Sequence, residues 1–330
     1  MYDLMDQRLV IERVGAAQAQ GRGLGHCRFE RLIRVHRALE LGLRVTGLQR
    51  VASSALLRPR VEEVRVSLPR LPSVFEGYRI LFLSDLHIDA DPGLMSTVLA
   101  RLKALQHMEI DTLWLGGDLR YGMEGAWSRP LGLVVDLLRA LRFRDRSLGV
   151  LGNHDTTDVL EPLMATGLHW LLNTAACVER EGQRLWIVGV DDPHYYGTDD
   201  LGAALAGVPA GDCRILIAHS PELYAEAAAA GVDFYCCGHT HGGQIRIPGL
   251  PPPVYNAACP RALAAGPWRV GAMVGYTSRG VGASGVPARF CCPPEITVLE
   301  LRSATAETAG CRVVRNHGLV TGSSVAARGV

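Results

Sequence analysis

Five short apolar runs in this chain each end in residues able to bind a metal ion. "LFLSDLH" ends in Asp85 and His87, "LWLGGD" in Asp118, "GVLGNHD" in Asn153 and His154, "ILIAH" in His219, and "FYCCGHTH" in His239 and His241. Apolar runs of four to six residues bounded by glycine and polar residues read as buried strands. Helical patterns lie between them, as in "LMSTVLARLKAL", "LGLVVDLLRAL" and "PELYAEAAAAG". In open α/β sheets the crevice at the carboxyl ends of the strands is where ligands bind. Taken singly, each ending has a structural explanation: an aspartate after a strand caps the next helix, and a lone histidine finds a local partner. Five such endings in one chain point to a shared site.

The rest of the chain organises around that core. "VEEVRVSLP" opens an αβ rhythm at Val61, and "RLWIVGV", "RVGAMVGY" and "EITVLEL" add strands later, which predicts two packed sheets covered by helices over residues 61–303. Residues 1–27 read as a loose leader, and residues 304–330, without periodicity, as a disordered tail. Between Arg28 and Arg60 lie Arg31, Arg34, Arg37, Arg44, Arg50 and Arg58, with only Glu30 and Glu40 as acids. Leu32, Val35, Leu39 and Leu43 recur there at helical spacing, so residues 28–60 read as a basic amphipathic helical segment broken near Gly42 or Gly47. Such a helix either lies on an anionic bilayer as a peripheral anchor or packs on the domain with its arginines in water.

Bulk properties remove other classes. The 330 residues carry a net charge of +1, so no global field attracts nucleic acid and no nucleic-acid partner is expected. No run approaches the ~18 apolar residues of a membrane span, and "MYDLMDQRLVIERVG" lacks the apolar core of a signal peptide. Nine cysteines, with no CxxC spacing and two adjacent pairs, read as buried thiols in a reducing compartment. The expectation is a cytoplasmic protein, held at the inner face of the cytoplasmic membrane if the basic helix binds lipid.

The chemistry of the strand-end set is coherent. Asp, His and Asn donors without thiolate suit Mn, Fe, Zn or Co. Asp85, His87, Asp118, Asn153, His219, His239 and His241 are too many for one tetrahedral zinc and suit two ions sharing a bridge. A carboxylate is the group that bridges, and Asp118 stands alone on its strand. Two divalent ions against Asp85 and Asp118 leave the site about two charges positive, which suits a phosphoryl group and a hydroxide. Paired ions ~3.5–4 Å apart acidify water and clamp an in-line displacement. The chemistry expected is hydrolysis of a phosphoester or phosphoanhydride by a hydroxide activated at a dinuclear centre. In an extended backbone residues two apart share a face, so His239 and His241 would face one target.

In this order, "DLH", "GGD", "GNHD", "AHSP" and "GHTHGGQ" resemble the five blocks of the calcineurin-like metallophosphoesterase superfamily. The resemblance implies an α/β fold, a four-layer α/β/β/α sandwich of two mixed sheets flanked by helices. It implies that Asp85, His87, Asp118 and His241 hold one divalent ion, and Asp118, Asn153, His219 and His239 the other. His154 would contact the phosphate and assist the leaving oxygen. The flanks, "VSLPRLPSVFEGYRILFLSDLHI" and "SRGVGASGVPARFCCPPEITVLEL", are similar to a bacterial branch of membrane-associated phosphodiesterases and of enzymes cleaving UDP-diacylglucosamine. That similarity implies a phosphate-ester or lipid-linked nucleotide substrate and contact with an anionic membrane. Arg120 either meets substrate phosphate bidentately or pairs with a nearby acid. Arg279 and Arg289 are either substrate contacts or solvated loop arginines. Two rivals share the fold: a scaffold that has lost catalysis, and a membrane-binding module with the domain as cargo. Loss of catalysis would show as a missing ligand, and none is missing.

Overall fold

The computed structural model describes residues 2–14, 21–22, 29–247, 250, 252 and 254–317. Three helices precede the first strand: α1 (Tyr2–Val14), α2 (Phe29–Val45) and α3 (Gln49–Leu56). Alternation in "RVEEVRVSL" then gives β1 (Arg60–Leu68), which buries Val64, Val66 and Leu68 in one apolar layer. A strand–helix rhythm follows in β2 (Arg79–Leu83), α4 (Leu94–Ala104), β3 (Thr112–Leu115), α5 (Ser128–Arg139), β4 (Leu148–Gly149), α6 (Leu160–Met164) and β5 (His169–Trp170). The second half comprises β6 (Thr174–Arg180), β7 (Gln183–Gly189), α7 (Leu201–Leu205), β8 (Cys213–Ile217), α8 (Tyr224–Ala229) and β9 (Phe234–Cys237). It closes with β10 (Gly266–Val270), β11 (Met273–Thr277), β12 (Glu295–Ser303) and β13 (Gly310–His317).

These strands form two mixed sheets, ordered β13-β1-β12-β2-β3-β4-β5 and β10-β11-β9-β8-β7-β6. Phe82, Trp114, Ile187, Ile215, Phe234 and Tyr276 fill the layer between the sheets. Val98 and Leu102 of α4 and Val134 and Leu137 of α5 cover the first sheet outside. Ala204 of α7 and Ala227 of α8 cover the second. The result is the expected α/β/β/α sandwich. Central strands buried on both faces explain why their sequences read as continuous apolar runs. Backbone bonds knit the strand ends at one rim: the Asp85 N–H donates to Gly117 O (2.9 Å) and the Gly238 N–H to His219 O (2.8 Å).

The ends of the chain differ from expectation. Residues 2–14 are a docked helix, with Arg8 and Ile11 buried, while 15–20 and 23–28 lie outside the described residues. The basic segment breaks at Thr46–Leu48, where Gly47 takes φ 73. Its two readings fall on two faces. Leu43, Ala52 and Leu56 are buried against the domain, whereas Leu41, Val45, Leu48 and Val51 are exposed, as are Arg34, Arg37, Arg44 and Arg50. The side chains of Arg28, Arg31, Leu32 and Val35 lie outside the described residues.

The tail is not wholly irregular either. β13 adds an edge strand antiparallel to β1, and residues 318–330 lie outside the described residues. Exposure of both Val313 and Val314 blurs the alternation that would mark it as a strand. "RVGAMVGY" is a hairpin, turning at Gly271 between β10 and β11. The thiols divide: Cys213, Cys236, Cys237 and Cys292 are buried, but Cys177 and Cys291 are exposed. Among the described residues no helix is long and apolar enough to cross a membrane.

Candidate metal centre

All seven strand-end candidates meet at that rim. Asp85, His87 and His241 offer ligand atoms within 4.8 Å of one another, and so do Asp118, His219 and His239. Asn153 joins the second group, its Oδ1 3.0 Å from His219 Nε2. Asp118 stands between the groups. Its Oδ1 accepts the His154 backbone N–H (2.8 Å), while Oδ2 lies 3.4 Å from His219 Nε2 and 3.6 Å from His87 Nε2. One oxygen of a single carboxylate thus faces both clusters.

The backbone achieves this by left-handed turns, not by extension. Asp85, His87, Asp118, His239 and His241 have φ of 52°, 36°, 58°, 71° and 52°. That region is sparse for non-glycine residues and costs roughly 1–3 kcal/mol each, the kind of strain that collects at functional sites. His239 and His241 therefore do not share one face of a strand; the turns send one ring to each cluster. Asn153 and His154 likewise sit in a turn. Close approach also requires glycine: a Cβ on Gly238 would lie 2.0 Å from Ser84 Oγ and 2.3 Å from Asp85 Oδ2.

The donor set of the second cluster fits a cation. His219 Nδ1 is 2.8 Å from Gly116 O, and His239 Nε2 is 2.7 Å from Asn256 O. A ring nitrogen facing a carbonyl carries the proton. With both rings neutral, as ligands must be, the remaining nitrogens, His219 Nε2 and His239 Nδ1, are bare lone pairs facing each other at 3.1 Å, with Asn153 Oδ1 beside them. A positive ion among these acceptors relieves their repulsion, and the carbonyl partners orient the rings as outer-shell groups do. In the first cluster, His87 Nδ1 faces Arg120 O at 2.6 Å, which leaves Nε2 bare and 3.2 Å from His241 Nε2. His241 differs. The Arg289 guanidinium donates to its Nδ1 at 2.9 Å, which places the neutral ring's proton on Nε2; to take a cation there the ring must shift that proton to Nδ1 and the Arg289 donor must turn away.

Burial shapes the charges. It pushes His87 down to about 3, with His154 adding, and holds His239 and His241 well below the usual imidazole range. These three rings are neutral, as ligands must be; His219 is the exception, since against burial Asp118 and Asp85 hold it well above the usual range, and it must give up its Nε2 proton to take a cation. Burial also raises Asp85 to about 6, against an opposing pull from His219 and with help from Asp118. For Asp118, burial is outweighed by His219, His154 and His87, which hold its carboxyl well below the usual range.

The three arginines are placed elsewhere. Arg120 is buried over the Trp127 ring (4.4 Å) and donates to the carbonyls of His154 (2.9 Å), Gly125 (2.8 Å) and Met123. Arg279 pairs with Glu62 (2.6 Å) and Glu295 (3.1 Å). Arg289 is fully buried and donates to the carbonyls of Gly282 (2.8 Å), His241 (3.0 Å) and Arg279 (2.8 Å). None of the three lines the cavity at the clusters, whose lining includes Asp118, Asn153, His154, His239 and His241. Leu39, Ile245, Val254 and Val286 also line it, and its volume is ≈ 90 Å³. His154 stands in its wall, Nε2 3.8 Å from Asp118 Oδ2 and Nδ1 buried without a hydrogen-bond partner.

Two contributors escaped the sequence reading. Asp155 accepts the backbone N–H groups of Asp118, Leu119 and Gly152, each at 2.8 Å. Beyond β7, "DDPH" brings His194, which meets Glu222 at 2.7 Å and whose ring lies 3.8 Å from that of His239. The strand-end rule applied to β7 would have flagged it.

The profile of calcineurin-like phosphoesterases matches residues 78–243, half of the chain. The uncharacterized metallophosphoesterase YkuE of Bacillus subtilis is 26% identical over 263 residues, covering 78% of this chain and 90% of that protein. Phosphodiesterase YaeI of Escherichia coli is 29% identical over 231 residues, covering 68% and 82%. A Danio rerio protein named transmembrane protein with metallophosphoesterase domain is 30% identical over 264 residues, covering 74% of this chain and 58% of its own length.

Proposed function

The chain belongs to the calcineurin-like phosphoesterase family and is a metallophosphoesterase, and from that premise we propose that it is a two-metal phosphodiesterase for an amphiphilic substrate presented at an anionic surface. In this reading Asp85, His87, His241 and Asp118 hold one divalent ion, and Asp118, Asn153, His219 and His239 the other. Mn, Fe, Zn and Co all suit such donors. Bound ions would supply Lewis acidity to the phosphoryl oxygens and acidify water. The chain's own part is orientation and proton handling. Asp118 is fixed by the His154 and Asp155 contacts, and the unpartnered His154 ring is free to donate to a phosphoryl or leaving oxygen. A scaffold without catalysis would require a vacant ligand position, and each is filled.

The observation that supports the substrate class is the mixed lining of the cavity, where metal-competent side chains occur together with Leu39, Ile245, Val254 and Val286. At ≈ 90 Å³ the cavity is small beside a lipid-linked substrate, so in this reading the phosphoryl group enters it and the rest of the substrate lies outside, near Leu39 and Ile245. The elements bearing those two residues also expose Leu41 and Val45, and Ile247 and Leu250. With Arg34, Arg37, Arg44 and Arg50 in water on α2 and α3, that edge combines apolar and basic groups as a peripheral lipid-binding face does. UDP-diacylglucosamine, with a pyrophosphate between acyl chains and a nucleoside, fits these requirements.

The test uses full-length protein with Mn²⁺ against UDP-diacylglucosamine, phospholipids and a soluble nitrophenyl diester, and vesicle sedimentation of wild type and Leu41→Asp/Val45→Asp. Removing residues 1–60 would expose the buried Leu56 contacts and is unsuitable. The expected result is binding to anionic vesicles that the double variant and high salt abolish, with soluble-diester turnover within about twofold, because each basic group near lipid contributes ~1 kcal/mol. Equal binding by the variant refutes the surface reading. Hydrolysis of soluble diesters alone refutes the amphiphilic substrate.

A further inference from the structure

Helix α1 lies outside the matched family region, yet it ends on the loop that carries Asn153 and His154. Arg8 is fully buried. Its guanidinium donates to the carbonyls of Asp155 (2.8 Å) and Gly152 (3.3 Å), the two residues that bracket Asn153 and His154. Asp191 (2.5 Å) and Glu12 (3.0 Å) balance its charge, and it lies over the Tyr196 ring at 3.9 Å. The Tyr196 hydroxyl donates to the same Asp155 carbonyl (3.2 Å). One turn along α1, Glu12 accepts the Thr157 backbone N–H (3.0 Å) and hydroxyl (2.8 Å). From the opposite side, the Asp155 carboxylate fixes the backbone of Asp118 and Leu119.

We propose that Arg8 is a positioning residue, and that α1 through Arg8 and Glu12 sets the Gly152–Thr157 loop so that Asn153 meets His219 and His154 meets Asp118. Its donors are divided between two acids, Asp191 and Glu12, which neutralise the buried charge, and the carbonyls of one loop, which an arginine needed only for charge balance would have no reason to reach. The planar fork of five donors matches these four acceptors; lysine, with three donors on one nitrogen, cannot hold both carbonyls, Asp191 and Glu12 together. The kinetic consequence rests on the phosphoesterase reading, whereas the structural one does not.

The experiment compares wild type, Arg8→Lys and Arg8→Met as full-length chains. Hydrogen–deuterium exchange without metal should show the amides of residues 152–157 exchanging about tenfold faster in Arg8→Met, with β2 and β9 unchanged. Mn²⁺ titration should show binding weakened about 10–100-fold, the usual effect of losing an outer-shell partner, with Arg8→Lys intermediate. On diesters, kcat should fall more than KM rises, and more steeply for an alkoxide leaving group than for nitrophenolate. An unchanged loop, acceleration spread evenly over all strands, or a loosened loop with wild-type Mn²⁺ affinity would each overturn the proposal. If wild type hydrolyses none of the diesters, the functional reading fails while exchange and Mn²⁺ titration still decide the role of Arg8. Should Arg8→Met not fold, Glu12→Gln, which keeps Arg8 and weakens its hold on Thr157, takes its place in the same measurements.

Discussion

His154→Ala separates proton donation from metal binding. The substitution keeps the backbone N–H that donates to Asp118 Oδ1, so the proposed bridging carboxylate stays in place. The ring itself forms no hydrogen bond to lose: Nδ1 is buried without a partner and Nε2 is 3.8 Å from Asp118 Oδ2. Removing an unsatisfied buried nitrogen recovers part of what the lost packing costs, so stability should fall by no more than about 2 kcal/mol. Catalysis should suffer far more. General acid assistance contributes ~10²–10⁴ in rate, about 3–5 kcal/mol of barrier at 1.36 kcal/mol per tenfold. The assay is kcat/KM for an alkyl diester and a nitrophenyl diester, at matched metal occupancy by elemental analysis. The alkyl substrate should lose the full factor and the nitrophenyl substrate, whose leaving group needs little protonation, much less. Equal losses would leave His154 as a phosphate-binding donor only. Metal lost in step with activity would make it a ligand, a result compatible with its nearness to His87 and Asp118 and fatal to the assignment here.

Asp118→Asn should weaken Mn²⁺ binding at both clusters and bring activity near background, because one oxygen faces both; two metals retained per chain in the variant would refute the bridge. Gly238→Ala places a methyl 2.3 Å from Asp85 Oδ2, so Mn²⁺ affinity should drop at the Asp85 cluster, and wild-type affinity by titration would contradict the close approach. Leu56→Ala empties a fully buried site under α3 and should cost about 2–5 kcal/mol in denaturant unfolding; a loss below 1 kcal/mol would mean that α3 is not part of the core.

The site was legible because its candidate ligands are local features: each follows a buried run by one to four residues, and the fold gathers strand ends at one rim. What the pattern could not give was their conformation. Extended geometry for "GHTH" would put both rings on one face; left-handed turns at His239 and His241 send them to different clusters. The arginines stay open in the sequence for a related reason. Arg120 follows Asp118 by two residues, and Arg279 and Arg289 lie in the glycine-rich stretch after β11; in the structure their guanidinium groups satisfy loop carbonyls or buried acids. A guanidinium carries donors enough to organise a loop, and nothing in a single sequence says whether those donors turn inward or toward substrate.

Arg8 shows the same limit at its strongest. In "YDLMDQRLVIERV" it occupies the helical face shared with Ile11, where a packed helix would ordinarily show an apolar residue, so the segment reads as polar and loose. Its burial depends on Asp191, at a separation of 183 residues, and on a ring and two carbonyls that no local pattern announces. A buried ion pair is costly unless its remaining donors are satisfied, and here the satisfying partners belong to the loop that bears Asn153 and His154. The polar residue that made α1 look detachable is therefore the one that ties it to the metal centre.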